Sequence, residues 1–546
     1  MKHLMQIFHG LVFGTPQMQP QPGKDQVANA AGGYVYALDN WARVDRFLVL
    51  GSEGGTYYAS EAKLTRDNAQ HLASMVKADG AAVVRRIIDI SIAGRAPKQD
   101  AAIFALAMCA GWGDDDARRL ALTDGLHKVC RTASHLLQFA AYIEQFRGWG
   151  RGLRGAIAAW FNDKPLDELA YQAVKYQRRY EWATGDLLRL AHPATDVDAR
   201  HQLYRWMLGK PATLGNGAPH DDRLRLLWAV DRAKTMRSSS ADEMAAFVLA
   251  HKLPREAVPT EWLREPDVWA ALLEDMPMTA LIRNLATMTR IGLITPRGAA
   301  TEKVIAQLDD VECLRKARVH PIAVLAALET YRSGHGVRGS NTWKPVDAIV
   351  DALDRAFYAA FGNVRPAGRR VLIGLDVSGS MTYGAVAGVP GLTPRVASCA
   401  MSMVQVATED RVAVMAFSDQ FVPFAIGRGG KLETVIARAE KLPFSGTDCS
   451  LPMLYAIEKR LEVDAFVVYT DNETWFGAIH PDEALRKYRA ASGIPAKLIV
   501  VGMTATGFTI ADPNDGGMLD VVGFDTATPN LIADFVRGEA AWKEGT

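Results

Sequence analysis

The sequence predicts an α + α/β protein, a helical-repeat array followed by a domain built on a doubly wound parallel sheet. Three observations lead there. From about residue 62 to 360, apolar residues recur three and four apart. Near "NVRPAGR" (363–369) this gives way to short β-branched runs alternating with helical stretches. A chain of 546 residues is also too long for one hydrophobic core.

In the first part, "DAAIFALAMCAGW" (100–112), "VCRTASHLLQFAAYIEQF" (129–146), "ALLEDMPMTALIRNLATM" (271–288) and "PIAVLAALETYR" (321–332) carry the helical period. Gly111, Pro165, Pro193, Pro219, Pro277 and Pro296 punctuate it. Helical hairpins in series without strands predict a solenoid, with a plain bundle as the alternative. The acids of "GDDDARR" (113–119) read as a helix start, placed at the positive end of its dipole. In the last part, "VLIGLD" (371–376), "VAVMAF" (412–417), "AFVVYTD" (465–471) and "KLIVVGM" (497–503) read as strands buried on both faces. Helices are expected over 395–407, 451–461 and 481–490 as crossovers.

Composition narrows the classes. Hydrophobic residues make up 49% and charged residues 23%, ordinary for a globular protein. Net charge is +1, but residues 366–546 are acidic and the remainder basic, so an anion-binding surface is expected in the N-terminal part. Five scattered cysteines with no CxxC pair argue against a disulfide framework or a zinc site, and for a reducing cytoplasm. No apolar run approaches a membrane span, and "MKHLMQIFHGLVFG" lacks the pattern of a signal peptide. Residues 1–30, with "PQMQPQPG", read as a flexible lead-in. The expected domains are then a helical module over 31–363 and the sheet domain over 364–546.

The stretch "RVLIGLDVSGSM" (370–381) ends a buried strand in Asp376, Ser378 and Ser380. Residues two apart in an extended loop point the same way, so one carboxylate and two hydroxyls can converge. Such hard oxygen donors suit Mg²⁺, with Mn²⁺ or Ca²⁺ as alternatives, and not zinc. Thr447 in "SGTDCS" and Asp471 in "VYTDNE" follow at other strand ends, where ligands sit in sheets of this kind. The bland reading makes Ser378 and Ser380 caps of the next helix. Together, the five residues resemble the metal-ion-dependent adhesion site of von Willebrand factor type A domains, which implies a divalent cation with an open position for a partner.

A second surface lies at 147–192. "RGWGRGLR" brings Arg147, Arg151 and Arg154, and "KYQRRY" sets Lys175, Arg178 and Arg179 among tyrosines. Basic residues interleaved with aromatics suit phosphate contacts and base stacking. On a continuous helix Lys175 and Arg179 share a face. Acids in the same window leave a solvated mixed-charge face as the alternative.

Segments such as "GTDCSLPM", "VVYTDNETW", "GWGRGLRGAIAAWF", "VKYQRRYEWATGDLLRLAHP" and "KARVHPIAVLAALETYRSGHGVRG" resemble the Ro autoantigen family, the ring-shaped Ro ribonucleoproteins. The likeness runs in one order from about residue 30 to 537. It implies HEAT-like repeats (the TROVE module) closed into a monomeric ring by the type A domain. It further implies small Y RNAs on the outer surface, single-stranded 3′ ends of misfolded RNAs through the ring, a role in RNA quality control and a tethered exoribonuclease. Lys175, Arg179 and His192 fall on positions that family uses for RNA, with Gln177, Arg178 and Arg189 beside them. No HExxH, GxSxG or Walker pattern occurs, so no enzyme is expected. A metal-dependent protein scaffold without RNA, or a metal-dependent nuclease, are the alternatives.

Overall fold

The computed structural model describes residues 14–50, 69–96, 98–211, 221–236, 240–317, 319–336, 340–360, 366–384, 386, 392–443, 445–504, 506–522 and 528–538. Helices dominate up to residue 360, and each packs on its neighbours in series. Asp100–Trp112 is buried on every side from Ala101 to Ala110, as an all-apolar helix must be, and lies between Gln70–Ala93 and Ala133–Ile143. The expected helix at 129–146 begins only at Ala133, because Thr132 caps it by accepting from the His135 amide at 3.3 Å. That at 271–288 is two helices, Pro266–Glu274 and Met278–Arg290, with Pro277 at the second N-cap. Asp114 caps its helix through the Ala117 amide, as the acid run predicts.

The sheet domain carries six strands in the order β11-β9-β8-β5-β6-β7. They are β5 (Val371–Asp376), β6 (Val412–Phe417), β7 (Phe421–Pro423), β8 (Ala465–Thr470), β9 (Lys497–Gly502) and β11 (Met518–Val522). All pairings are parallel except β6 with β7. Every residue of β5 and β8 is buried, which is why both read as unbroken apolar runs. The chain leaves β5 towards β6 and returns to its other side with β8, so strand order reverses at β5. Asp376 ends β5 and Asp471 follows β8 at this switch point, where open α/β sheets bind ligands.

Two expectations fail. The N-terminal segment is no loose lead-in from residue 14 onward. Strand β1 (Gln26–Ala28) pairs with β2 (Tyr34–Ala37), and β2 pairs with β10 (Phe508–Thr509) of the sheet domain. Gln17 is fully buried, because its amide finds partners more than four hundred residues away. Residues 1–13 lie outside the described residues. The helical module also contains strands, an antiparallel hairpin of β3 (Arg178–Arg179) and β4 (Trp182–Ala183).

The chain closes on itself. Arg46, on the helix Asn40–Leu50, is buried and reaches both carboxylate oxygens of Asp520 on β11 at 2.7 and 2.9 Å. It also donates to the Thr506 carbonyl at 2.9 Å. At the other end of the array, Lys431 meets Asp351 at 2.8 Å and the Tyr358 hydroxyl meets the Met403 sulfur at 3.3 Å. The His320 ring lies 3.2 Å from the Arg95 carbonyl, and Arg95 donates to the Val522 carbonyl at 2.8 Å. The first and last parts of the array thus meet each other and the same sheet domain. Among the described residues no helix is long and apolar enough to cross a membrane.

Replacing Arg46 with Leu leaves Asp520 without its charge partner in a half-closed seam. Stability is expected to fall by about 3–5 kcal/mol, read as a lower urea midpoint; an unchanged midpoint would show that the seam holds without it.

Candidate metal centre and nucleic-acid surface

Strand β5 delivers Asp376 fully buried, and the turn after it folds back on the carboxylate. The Ser378 amide donates to Asp376 Oδ1 at 2.9 Å, and the Thr470 hydroxyl donates to Oδ2 at 2.7 Å. Ser378 Oγ and Ser380 Oγ stand 3.0 Å apart. Ser378 occupies the N-cap of the short turn Gly379–Thr382, yet its side chain caps nothing, so the capping alternative fails for it. The Ser380 hydroxyl interacts with Asp471, whose Oδ1 accepts from the Glu473 amide at 3.1 Å. Asp471 Oδ2 is buried and accepts no hydrogen bond from the described residues. Thr447 is buried as well, and its carbonyl accepts from the Trp475 and Phe476 amides, both at 3.0 Å, just beyond Asp471. The turn around Asp376, the loop of Thr447 and the loop of Asp471 are therefore joined into one structure.

Burial and the Asp471 charge push the Asp376 carboxyl well up, against the hydrogen bonds from Ser378 and Thr470. Burial likewise raises Asp471. Two carboxylates held together out of water repel unless a cation or a proton lies between them. The donors offered are two carboxylates and three hydroxyls, a set fitted to a hard divalent cation. Among the described residues no three His, Cys, Asp or Glu side chains gather as a zinc site would need. Arg395 braces the turn from behind, donating to the Val377 and Ser378 carbonyls at 2.7 and 3.1 Å.

The basic segment folds differently from the expected single helix. The helix Leu166–Lys175 ends at Lys175, and Arg178 and Arg179 lie on β3 instead. Lys175 and Arg179 therefore do not share a helical face. The turn between β3 and β4 is Tyr180–Glu181, with φ of 52° and 67°. Two left-handed residues make the tight hairpin turn usually given to Asn-Gly. Holding non-glycine residues there costs roughly 1–3 kcal/mol each, strain that tends to sit at functional sites. Trp182 on β4 packs against Trp149 with ring centroids 5.1 Å apart, tying the hairpin to the loop before helix Arg151–Asp163.

Gln177, Arg178, Arg179 and Tyr180 are all exposed at this tip. Lys175 rests over the Tyr171 and Tyr176 rings at 5.5 and 5.6 Å, and forms one side of a cleft that Arg255, Glu256, Asp275 and Asn284 also line. Arg189 is exposed but held to Asp186 at 3.0 Å, and Arg178 lies 3.6 Å from Glu181. His192 is exposed at the left-handed C-cap of Thr184–Ala191, just before Pro193. Arg151 and Arg154 are exposed nearby, and neither enters an ion pair among the described residues. Among the described residues Lys175, Arg179, Arg147, Arg151 and Arg154 enter no ion pair, although Glu256 and Asp275 line the same cleft as Lys175.

Both modules have known counterparts. A TROVE domain model matches residues 27–222 and 246–331, and a Ro60 vWA domain model matches 370–536. The RNA-binding protein RO60 of Deinococcus radiodurans is 43% identical over 540 residues, covering 99% of this chain and all of its own. The RNA-binding protein RO60 of Caenorhabditis elegans is 36% identical over 597 residues, covering 96% of this chain and 92% of its own. The crystal structure of the Deinococcus radiodurans RO (RSR) protein aligns with a TM-score of 0.70 at 43% identity, covering 92% of this chain and all of that one. With both modules matched in order along nearly its whole length, the chain belongs to the Ro60 family.

Proposed function

We propose that this protein is a non-enzymatic RNA-binding ring. Small structured RNAs of the Y type dock on the outer surface around the β3–β4 hairpin, and single-stranded ends of misfolded RNAs enter the ring. The observation that carries this reading is the half-buried Lys175 with the exposed Arg179 and His192, on the segment that forms a strained hairpin with Tyr180 exposed at its tip. Cations reach phosphates there, and the exposed ring offers a stacking face for an unpaired base. Relatives named as RNA-binding proteins match along nearly the whole chain. A cytoplasmic role in RNA quality control, with a tethered exoribonuclease, rests on the family resemblance.

The same reading gives the sheet domain a divalent cation, Mg²⁺ first, held by Asp376, Ser378, Ser380, Thr447 and Asp471. Support comes from Asp471 Oδ2, a buried carboxylate oxygen with no hydrogen-bond donor among the described residues. When bound, the ion supplies positive charge between the two acids and an open position for an acidic group of a partner. That feature favours a second reading, a metal-dependent docking platform for a protein, which is compatible with the first because the two surfaces lie on different modules.

Filter binding of a structured RNA with a single-stranded 3′ tail tests the first reading. Lys175→Ala with Arg179→Ala is expected to weaken binding and to flatten the salt dependence by about two units or less. Asp376→Ala is expected to leave RNA affinity within about twofold, since phosphate contacts carry the affinity. Equal losses from both, with folding intact, would contradict the division between modules. Titration with Mn²⁺ tests the metal: wild type is expected to bind one ion and Asp471→Asn to lose it, whereas binding unaltered in Asp471→Asn would place the ion elsewhere.

A further inference from the structure

The residues ahead of the helical array are built into the metal-binding loops. Gln17 is fully buried, and both ends of its amide are used. Its Nε2 donates to Asp448 Oδ1 at 2.9 Å and to the Ile479 carbonyl at 2.7 Å. Its Oε1 accepts from the Thr474 hydroxyl at 2.6 Å. Asp448 directly follows Thr447, and Thr474 lies three residues after Asp471. One side chain therefore bridges the two loops that present the last two metal ligands. The loops are shaped to receive it, because a Cβ on Gly477 would stand 1.9 Å from the Gln17 Nε2.

Further along the same segment the pattern repeats. Asn29 Nδ2 donates to the Thr474 carbonyl at 2.8 Å and to the Asn472 carbonyl at 3.3 Å. The Ala31 amide donates to Glu473 Oε2 at 2.9 Å. Thr15 donates to the Trp475 carbonyl. A Cβ on Gly33 would meet the Thr474 carbonyl oxygen at 1.9 Å, so only glycine permits the segment to lie this close. Every residue from Asn472 to Trp475 thus receives a bond from residues 15–31, and this stretch begins directly after Asp471. None of these donors falls within the matched sheet-domain region, 370–536.

We propose that residues 15–33 form a strap that positions the metal centre, with Gln17 as the positioning residue that sets Thr447 against Asp471. The inference rests on the metal reading given above. The hydrogen bonds of the Gln17 amide go to Asp448, Ile479 and Thr474 and not to the metal-ligand side chains; it acts by fixing the loops on which Thr447 and Asp471 stand. Groups that orient metal ligands in this way matter nearly as much as the ligands themselves.

The test is Mn²⁺ affinity of the full chain by calorimetry, with melting temperature measured in EDTA alongside. Gln17→Ala is expected to weaken Mn²⁺ binding by about 10–100-fold, and Thr474→Val, which removes the bond to Gln17 Oε1, to weaken it in the same direction. Lys24→Ala serves as control, because Lys24 belongs to the same segment but pairs with Asp512 at 2.5 Å and not with a residue of either loop. Its Mn²⁺ affinity is expected to match wild type even where its melting temperature falls. Wild-type affinity in both Gln17→Ala and Thr474→Val would overturn the strap and leave the metal reading standing. Affinity that simply follows melting temperature across all three variants would also overturn it. No Mn²⁺ binding by wild type would remove the metal reading, and the strap with it.

Discussion

The arrangement depends on a long-range constraint: the beginning of the chain must meet its end. Arg46 is the clearest expression of this. It is buried at the edge of the sheet domain, and its guanidinium is held by Asp520 and by carbonyls of the 504–508 segment. A guanidinium out of water needs hydrogen-bond partners, and both terminal nitrogens of Arg46 have them although its buried Nε has none. The helix Asn40–Leu50 is therefore fixed to β11, and the array that starts behind it has to return to the same domain. The contacts of Lys431 with Asp351 and of His320 with the Arg95 carbonyl complete that return.

Closure has a consequence for where chemistry can occur. The switch point of the sheet brings together two buried acids and the hydroxyls of Ser378 and Ser380, beside the loop of the buried Thr447, in a region walled by the chain's own N-terminal residues. The hairpin tip of Arg178, Arg179 and Tyr180 is exposed on the helical module instead. One site is dry and preorganised, where a charge interacts strongly. The other is wet, where the proposed phosphate contacts would each be weak and screened by salt. On the proposed reading, a cation and a polyanion would be handled by parts of the fold with opposite solvent exposure.

Much of this was legible in the residues. Strands β5, β8 and β9 announce themselves because burial on both faces forces continuous apolar runs, β6 does so over its last four residues, and "DVSGSM" stands out because its three oxygen-bearing residues alternate along one short stretch. The same local logic finds Pro277 as a helix break and Asp114 as a cap. It misses what is not local. Gln17 sits in "PQMQPQPG", a composition that reads as disorder, and its partners are Asp448 and Thr474. Nothing in the periodicity near residue 17 encodes a contact at that separation. The hairpin is missed for a different reason: Tyr-Glu is no turn signal, and Lys175 and Arg179 at i and i+4 imitate a helical face. The bonds that hold the turn come from the surrounding fold, Trp149 against Trp182 above all.

The central claim, that RNA is held at the hairpin of the helical module and not at the metal centre, is tested most directly by ultraviolet crosslinking of the full chain to a uridine-rich RNA, with the attached peptides identified by mass spectrometry. Adducts are expected within 171–192, at Tyr176, Tyr180 or His192. Adducts confined to the sheet domain around Tyr383, Trp475 and Phe476, with none in that window, would contradict the assignment.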